Sequence, residues 1–211
     1  MRKRGITKII VLSVFAVFMT QSVFGIVSNF DVDDEGWRIT GDAQSGSVLP
    51  DYHSTGGNPD EYISADDDVQ GGTWYFQAPS KFHGDFSQAY GTNIEFDLRQ
   101  SSTSSQFDNV DISLSGSGTT LVYDTAYNPS TTWTSYSVLL TETSGWKVGS
   151  LSGSIPSQSQ FSDVLSDITD IKIRGEYVSG PDTGGLDNVT VVPELASLVF
   201  IGIGSLILKK R

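Results

Sequence analysis

The sequence predicts an all-β fold, a jelly-roll β-sandwich with one short helix, and three observations carry that prediction. Apolar residues in the body recur with period two rather than 3.6. Clusters of Gly, Ser, Asn, Asp and Pro punctuate the chain between these alternating stretches. The body, residues 26–192, is long enough for one domain with a real core and too short for two comfortable ones.

The elements follow in chain order. Residues 1–8 carry Arg2, Lys3, Arg4 and Lys8, and residues 9–19 form an apolar run. That run is closer to the ~7–15 residues of a secretory h-region than to the ~20 of a spanning helix. Val23 and Gly25 suit the last positions before a cleavage point, so a signal peptide is predicted over 1–25 with Ile26 as the mature N-terminus. An uncleaved anchor is the alternative. In the body, residues 93–99 alternate polar and apolar, as do 110–114, and each reads as a strand with one wet face. Further strands are predicted at 37–40, 62–64, 73–77, 120–123, 134–140, 171–177 and 186–192. Phe161, Val164, Leu165 and Ile168 fall at helical spacing and predict a short amphipathic helix near 161–168. Such a run of short strands with turn signals between them argues for a sandwich or jelly roll.

Charge and composition narrow the function. The chain has 13 Lys and Arg against 25 Asp and Glu. Seven of the basic residues lie at the two ends, which leaves the body six against 24 acids, a net charge near −18. Such a body repels a phosphate backbone, so nucleic acid and anionic membrane surfaces are excluded as partners in favour of cations and neutral polymers. With no Cys, neither disulfides nor thiolate chemistry is available.

At the C-terminal end, Pro193-Glu194 precedes a weakly polar to apolar run over 195–208, closed by Lys209, Lys210 and Arg211. As a helix that run measures about 21 Å at ~1.5 Å per residue, short of a ~30 Å hydrocarbon core. It suits a temporary membrane stop with its basic end in the cytoplasm. The segment 193–211 resembles the PEP-CTERM sorting tail of Gram-negative bacteria, with Leu195 standing where a second Pro is commonest. The resemblance implies recognition at Pro193 and Glu194 by an exosortase, a membrane-held intermediate, and delivery to the cell surface or extracellular matrix.

Within the body, residues 74–91 followed by Ile94-Glu95-Phe96-Asp97-Leu98 resemble the laminin B domain, also called laminin IV type A. Gly36-Trp37, the Gly56-Gly57-Asn58-Pro59 loop, Trp133, Trp146, the short helix, Ile173-Arg174-Gly175-Glu176-Tyr177 and Leu186-Asp187-Asn188-Val189 follow in family order. The resemblance implies a jelly roll similar to carbohydrate-binding modules and an extracellular structural or adhesive role without catalysis. Polysaccharide is the first expected partner and a surface protein the second.

Candidate sites are few. Asp31-Val32-Asp33-Asp34-Glu35-Gly36 opens like a calcium loop, but Glu in the fifth place and strand-like flanks argue against an EF-hand. In jelly-roll binding modules the first and last strands lie side by side. By resemblance to them Asp31 and Asp187, helped by Asn58 or nearby carbonyls, are expected to hold one structural Ca2+. The same residues read equally well as solvated acids at strand ends. Asp66-Asp67-Asp68 reads as a charged loop. Trp37, Trp74 and Trp133 begin or sit in predicted strands and read as core, whereas Trp146, in a Gly- and Ser-rich setting, is expected to be exposed and to stack on a ligand. His53 and His83 lack a second ligand at metal spacing and read as lone surface residues. No pair of carboxylates is singled out for glycosidase chemistry, and no catalytic residue is expected.

Overall fold

The computed structural model describes residues 25–42, 48–67 and 71–192. The predicted sorting tail with Pro193 and Glu194, and the predicted signal peptide apart from Gly25, lie outside the described residues. The elements in order are β1 (Ile26–Ser28), β2 (Arg38–Gly41), β3 (Asp51–Gly57), β4 (Asp60–Asp66), β5 (Trp74–Gln77), β6 (Asn93–Gln100), β7 (Ile112–Gly116), β8 (Thr119–Tyr123), β9 (Thr134–Leu139), β10 (Lys147–Val148), α1 (Gln158–Ser166), β11 (Ile168–Arg174) and β12 (Thr183–Val191). All strand pairs are antiparallel, in two sheets. One runs β3-β4-β12-β6-β9 with β1 added beside β12, and the other runs β10-β8-β7-β11-β5-β2. The all-β sandwich with one helix is the architecture the sequence predicts.

The core lies between the sheets. Ile63 and Ala65 of β4, Leu186 and Val189 of β12, Ile94, Phe96 and Leu98 of β6, and Tyr136 and Val138 of β9 point inward. They meet Phe76, Ile112, Leu114, Leu121, Ile171 and Ile173 of the second sheet. The helix closes one end, burying Phe161, Val164 and Leu165. It begins at Gln158, three residues before the predicted start at Phe161, because Ser157 and Gln160 form a reciprocal cap: Gln160 N donates to Ser157 Oγ at 3.2 Å and Ser157 N to Gln160 Oε1 at 3.0 Å. Ile168, read as the helix's last apolar turn, instead opens β11.

Two differences from the predicted elements matter for the site. Strand β3 is mostly exposed and polar, so it carries no alternation to find, yet it pairs with β4 and forms one edge of the first sheet. Strand β12 starts at Thr183 and runs straight through Gly184-Gly185, a pair that reads as a turn. Both glycines pair with β4 and β6, and neighbouring atoms fill the room a Cβ would take. A Cβ on Gly184 would sit 2.9 Å from the Trp74 ring, and one on Gly185 would sit 3.1 Å from Arg99 Cγ and 3.2 Å from the Trp133 ring.

Candidate functional site

The outer face of the first sheet is set by strand alternation. With Ile63, Leu186, Leu98 and Tyr136 facing inward, Tyr62 and Ser64, Gly185 and Asp187, Asp97 and Arg99, and Ser135 and Ser137 face outward. Register then brings Arg99 opposite Gly185, Gly185 opposite Ser64, Asp97 opposite both Asp187 and Ser135, and Glu95 opposite Ser137.

At the centre stands a platform of rings around one guanidinium. Tyr62, only 7 % exposed, is its base. The His53 ring stacks on Tyr62 at 4.4 Å and 11°, and the Trp133 ring meets it edge-on at 5.3 Å. The Arg99 guanidinium lies 4.4 Å from the centre of the Tyr62 ring and 4.9 Å from that of Trp133. Its Nη2 donates to Tyr62 Oη, while Nη1 donates to Gly56 O at 3.3 Å and Trp133 Nε1 donates to the same carbonyl at 3.0 Å. Trp133, Arg99 and His53 are half-buried, so their outer surfaces meet solvent. Gly185 leaves Arg99 and Trp133 the space a Cβ would take.

Hollows flank this platform. One of about 240 Å³ is lined by Ser64, Arg99, Ser101, Thr131, Thr183 and Gly185. The other, of about 470 Å³, is lined by Glu95, Asp97, Tyr127, Ser135, Ser137 and Thr190. Tyr127 is 55 % exposed and stacks on Tyr136 at 5.3 Å, which in turn stacks on Phe96 at 5.1 Å. Ser137 Oγ donates to Glu95 Oε1 at 3.0 Å. Rings at both ends with hydroxyls and carboxylates between them make a surface that can bind a polyol chain by stacking and hydrogen bonds.

Between the hollows two carboxylates face each other. Asp187 Oδ2 accepts from Asn58 N at 2.6 Å and Oδ1 from Asn188 N at 2.7 Å. Asp97 Oδ2 accepts from Asn58 Nδ2 at 3.0 Å and Asn188 Nδ2 at 2.8 Å. Burial raises the Asp187 carboxyl to about 6; the N–H groups of Asn58 and Asn188 oppose that rise and the Asp97 and Glu61 charges add to it. Of the three residues expected to share a calcium ion, Asn58 and Asp187 are hydrogen-bonded to each other. Asp31 is not joined to them by any hydrogen bond: it lies exposed after β1, its Oδ2 accepting from Asn29 Nδ2 at 2.8 Å. Among the described residues no three His, Cys, Asp or Glu side chains are grouped to hold a metal ion.

The tryptophans exchange their expected places. Trp146 is fully buried, its Nε1 donating to Leu139 O at 2.9 Å and its ring edge-on to Phe161 at 5.8 Å. It has no face to offer a ligand. The Gly- and Ser-rich setting that suggested exposure is a turn, with Gly145 at φ +115°, that folds the ring under the helix. Trp133, expected in the core, is the half-exposed one. His53 is likewise part of the platform rather than a lone surface residue, whereas His83 is exposed. Asp66 stays on the outer face, accepting from Thr183 Oγ1 at 2.6 Å, while Asp67 turns inward and Asp68 lies outside the described residues. Asp67 lines a further hollow of about 440 Å³ at one end of the sandwich, together with Phe107, Glu176 and Ser179. Burial pushes Glu176, on that hollow, up to about 7, and it pushes Asp182 up to about 6.

Comparisons with known proteins agree with this architecture. Human laminin subunit gamma-1 is 30 % identical over 179 residues, a match covering 81 % of this chain and 10 % of that one, so the chain spans about a tenth of the length of the curated relatives it matches. The solved L4b domain of human laminin alpha-2 is similar in fold, with a TM-score of 0.58 at 16 % identity over 74 % of this chain and 90 % of that one. The family 11 carbohydrate-binding module of the Clostridium thermocellum cellulosomal cellulase Lic26A-Cel5E gives a TM-score of 0.53 at 15 % identity, covering 82 % of this chain and 97 % of that one. The family model for Laminin B (Domain IV) matches residues 75–193, more than half of the sequence. The chain belongs to the laminin B (domain IV) family.

Proposed function

We propose that this protein is an exported, noncatalytic binding module whose outer sheet face holds polysaccharide, as a component of a cell-surface or extracellular matrix. The observation that carries this reading is the Trp133–Arg99–Tyr62 platform packed against Gly185 between two hydroxyl-lined hollows. The likeness in fold to a carbohydrate-binding module and the membership of a laminin family support it. So does the acidic body, which suits a hydrated matrix component. Under this reading the exosortase meets Pro193 and Glu194 while the apolar run of 195–208 is held in the membrane, and the body is then delivered to the surface of a Gram-negative cell.

Adhesion to a surface protein is the second reading, favoured by the exposed Tyr127, which suits a protein contact as well as a sugar. For hydrolysis the facing Asp97 and Asp187 are the natural pair, but amide N–H groups already occupy Asp187 on both oxygens. Calcium shared by Asp31, Asp187 and Asn58 belongs to the same proposal, and there the N–H donors aimed at both Asp187 oxygens compete with a cation. Thermal unfolding in excess calcium and in chelator decides it: a bound ion raises the Tm with calcium, and identical curves remove calcium from the account.

Binding itself is tested by mixing the purified protein with the producing strain's extracellular polysaccharide and measuring how much co-sediments. Retention that falls at least about tenfold on Trp133→Ala supports the proposal. Retention of neither protein moves adhesion to a surface protein to the front.

A further inference from the structure

The charge on the proposed polysaccharide face selects among polysaccharides. The strands of the first sheet carry Asp51, Asp60, Glu61, Asp66, Glu95, Asp97 and Asp187, against Arg99 as their one Lys or Arg among the described residues. Arg99 is the single cation set against seven acids, and protein groups already hold its guanidinium in place. Its guanidinium is spread over the Tyr62 and Trp133 rings, and two of its five N–H donors go to Tyr62 Oη and the Gly56 carbonyl. The larger hollow is lined by Glu95 and Asp97, whose hydrogen bonds within the described residues involve Glu95 Oε1 and Asp97 Oδ2. Glu95 Oε2 and Asp97 Oδ1 therefore remain as acceptors. Ionised carboxylates only accept, so what they want from a ligand is hydroxyl donors.

We infer that the ligand of this face is an uncharged glycan, lying along β6 from the Tyr127 hollow to the Trp133 platform, and that the face rejects polymers of uronic acids. The inference rests on the polysaccharide reading above and specifies its substrate class. The path from Glu95 to Ser101 covers about 20 Å at ~3.3 Å per residue, room for several sugar rings in a row. At the Trp133 end a ring stacks by its apolar face; at the Tyr127 end a second ring stacks while its hydroxyls donate to Glu95 and Asp97. A uronate brings acceptors and negative charge to carboxylates that already supply both, and the repulsion is strong at low ionic strength and screened at high. A fixed guanidinium at the centre of the face disfavours a cationic sugar at the same place.

The test is affinity electrophoresis of the purified full-length protein through gels containing dextran, hydroxyethylcellulose or laminarin as neutral probes and alginate or polygalacturonate as acidic ones, run at low and high salt. The expected result is retardation by at least one neutral polymer, with the acidic polymers bound at least about tenfold more weakly at low salt. That margin should shrink at high salt and in Glu95→Gln, a substitution at an exposed position that leaves the core untouched. Retardation by the acidic polymers equal to or above that by the neutral ones overturns the inference while leaving the polysaccharide reading in place. A margin unchanged in Glu95→Gln and at high salt overturns the electrostatic argument. Retardation by none of the five polymers counts against the polysaccharide reading itself, and the inference falls with it.

Discussion

In β9 the side chains of Tyr136 and Val138 face the core, so alternation sends Trp133 outward with Ser135 and Ser137. Parity alone could have assigned Trp133 to the outer face, and the same count from Ile63 assigns Tyr62 and from Leu98 assigns Arg99. What composition suggested for Trp146 fails because a Gly-rich turn is as good at directing a ring inward as at exposing it. The two residues should therefore respond differently to truncation. Trp146→Ala should cost about 3–5 kcal/mol, as for a large ring removed from a closed core. Trp133→Ala should cost only about 1 kcal/mol. Urea titrations with unchanged m-values measure both, and a Trp133 variant as unstable as the Trp146 variant would make the platform a structural element.

At the scale of elements, strands with one wet face were readable and strands without alternation were not. The predicted 93–99 lies within the observed Asn93–Gln100, and 134–140 nearly coincides with Thr134–Leu139. Strand β3 escaped because nearly all its positions are exposed, and the first part of β12 escaped because Gly184-Gly185 reads as a turn until Trp74, Arg99 and Trp133 are seen lying over it. Those two misses concealed most of the site, since β3 brings His53 and Gly56, and β12 brings the bare backbone beneath Trp133. The contact between Asn58 and Asp187 depends on the same hairpin, whose first strand carries no pattern. Helix α1 was legible by spacing, and its start is fixed locally by the Ser157 and Gln160 cap. Ser157→Ala should lower stability by about 1 kcal/mol, read as a shift in the denaturation midpoint. No shift would mean that tertiary packing of Phe161, Val164 and Leu165 alone sets the helix's first turn.

For the whole molecule, buried acid dominates the electrostatics. Burial lifts Glu176 to about 7, Asp182 to about 6 and Asp187 to about 6, against ordinary values of 4.5, 3.8 and 3.8. Each carboxyl holds its proton more tightly folded than unfolded. Their contribution to stability is therefore fully present below about pH 4 and is lost as pH rises through 6 to 7. The Tm should accordingly rise as the pH is lowered from 8 towards 5, and Glu176→Gln should flatten that rise near pH 7. A Tm that falls steadily over the same interval would contradict the burial of these groups.

All three scales converge on the outer face, where Trp133 is the half-exposed tryptophan while Trp37, Trp74 and Trp146 are buried. That difference makes tryptophan fluorescence a direct reporter of the site. The decisive measurement is a titration of the purified protein with the producing strain's extracellular polysaccharide, in parallel with Trp133→Phe. The account predicts a saturating change in emission for the native protein that is absent from the variant. No change in either protein, or the same change in both, would contradict polysaccharide binding at this face.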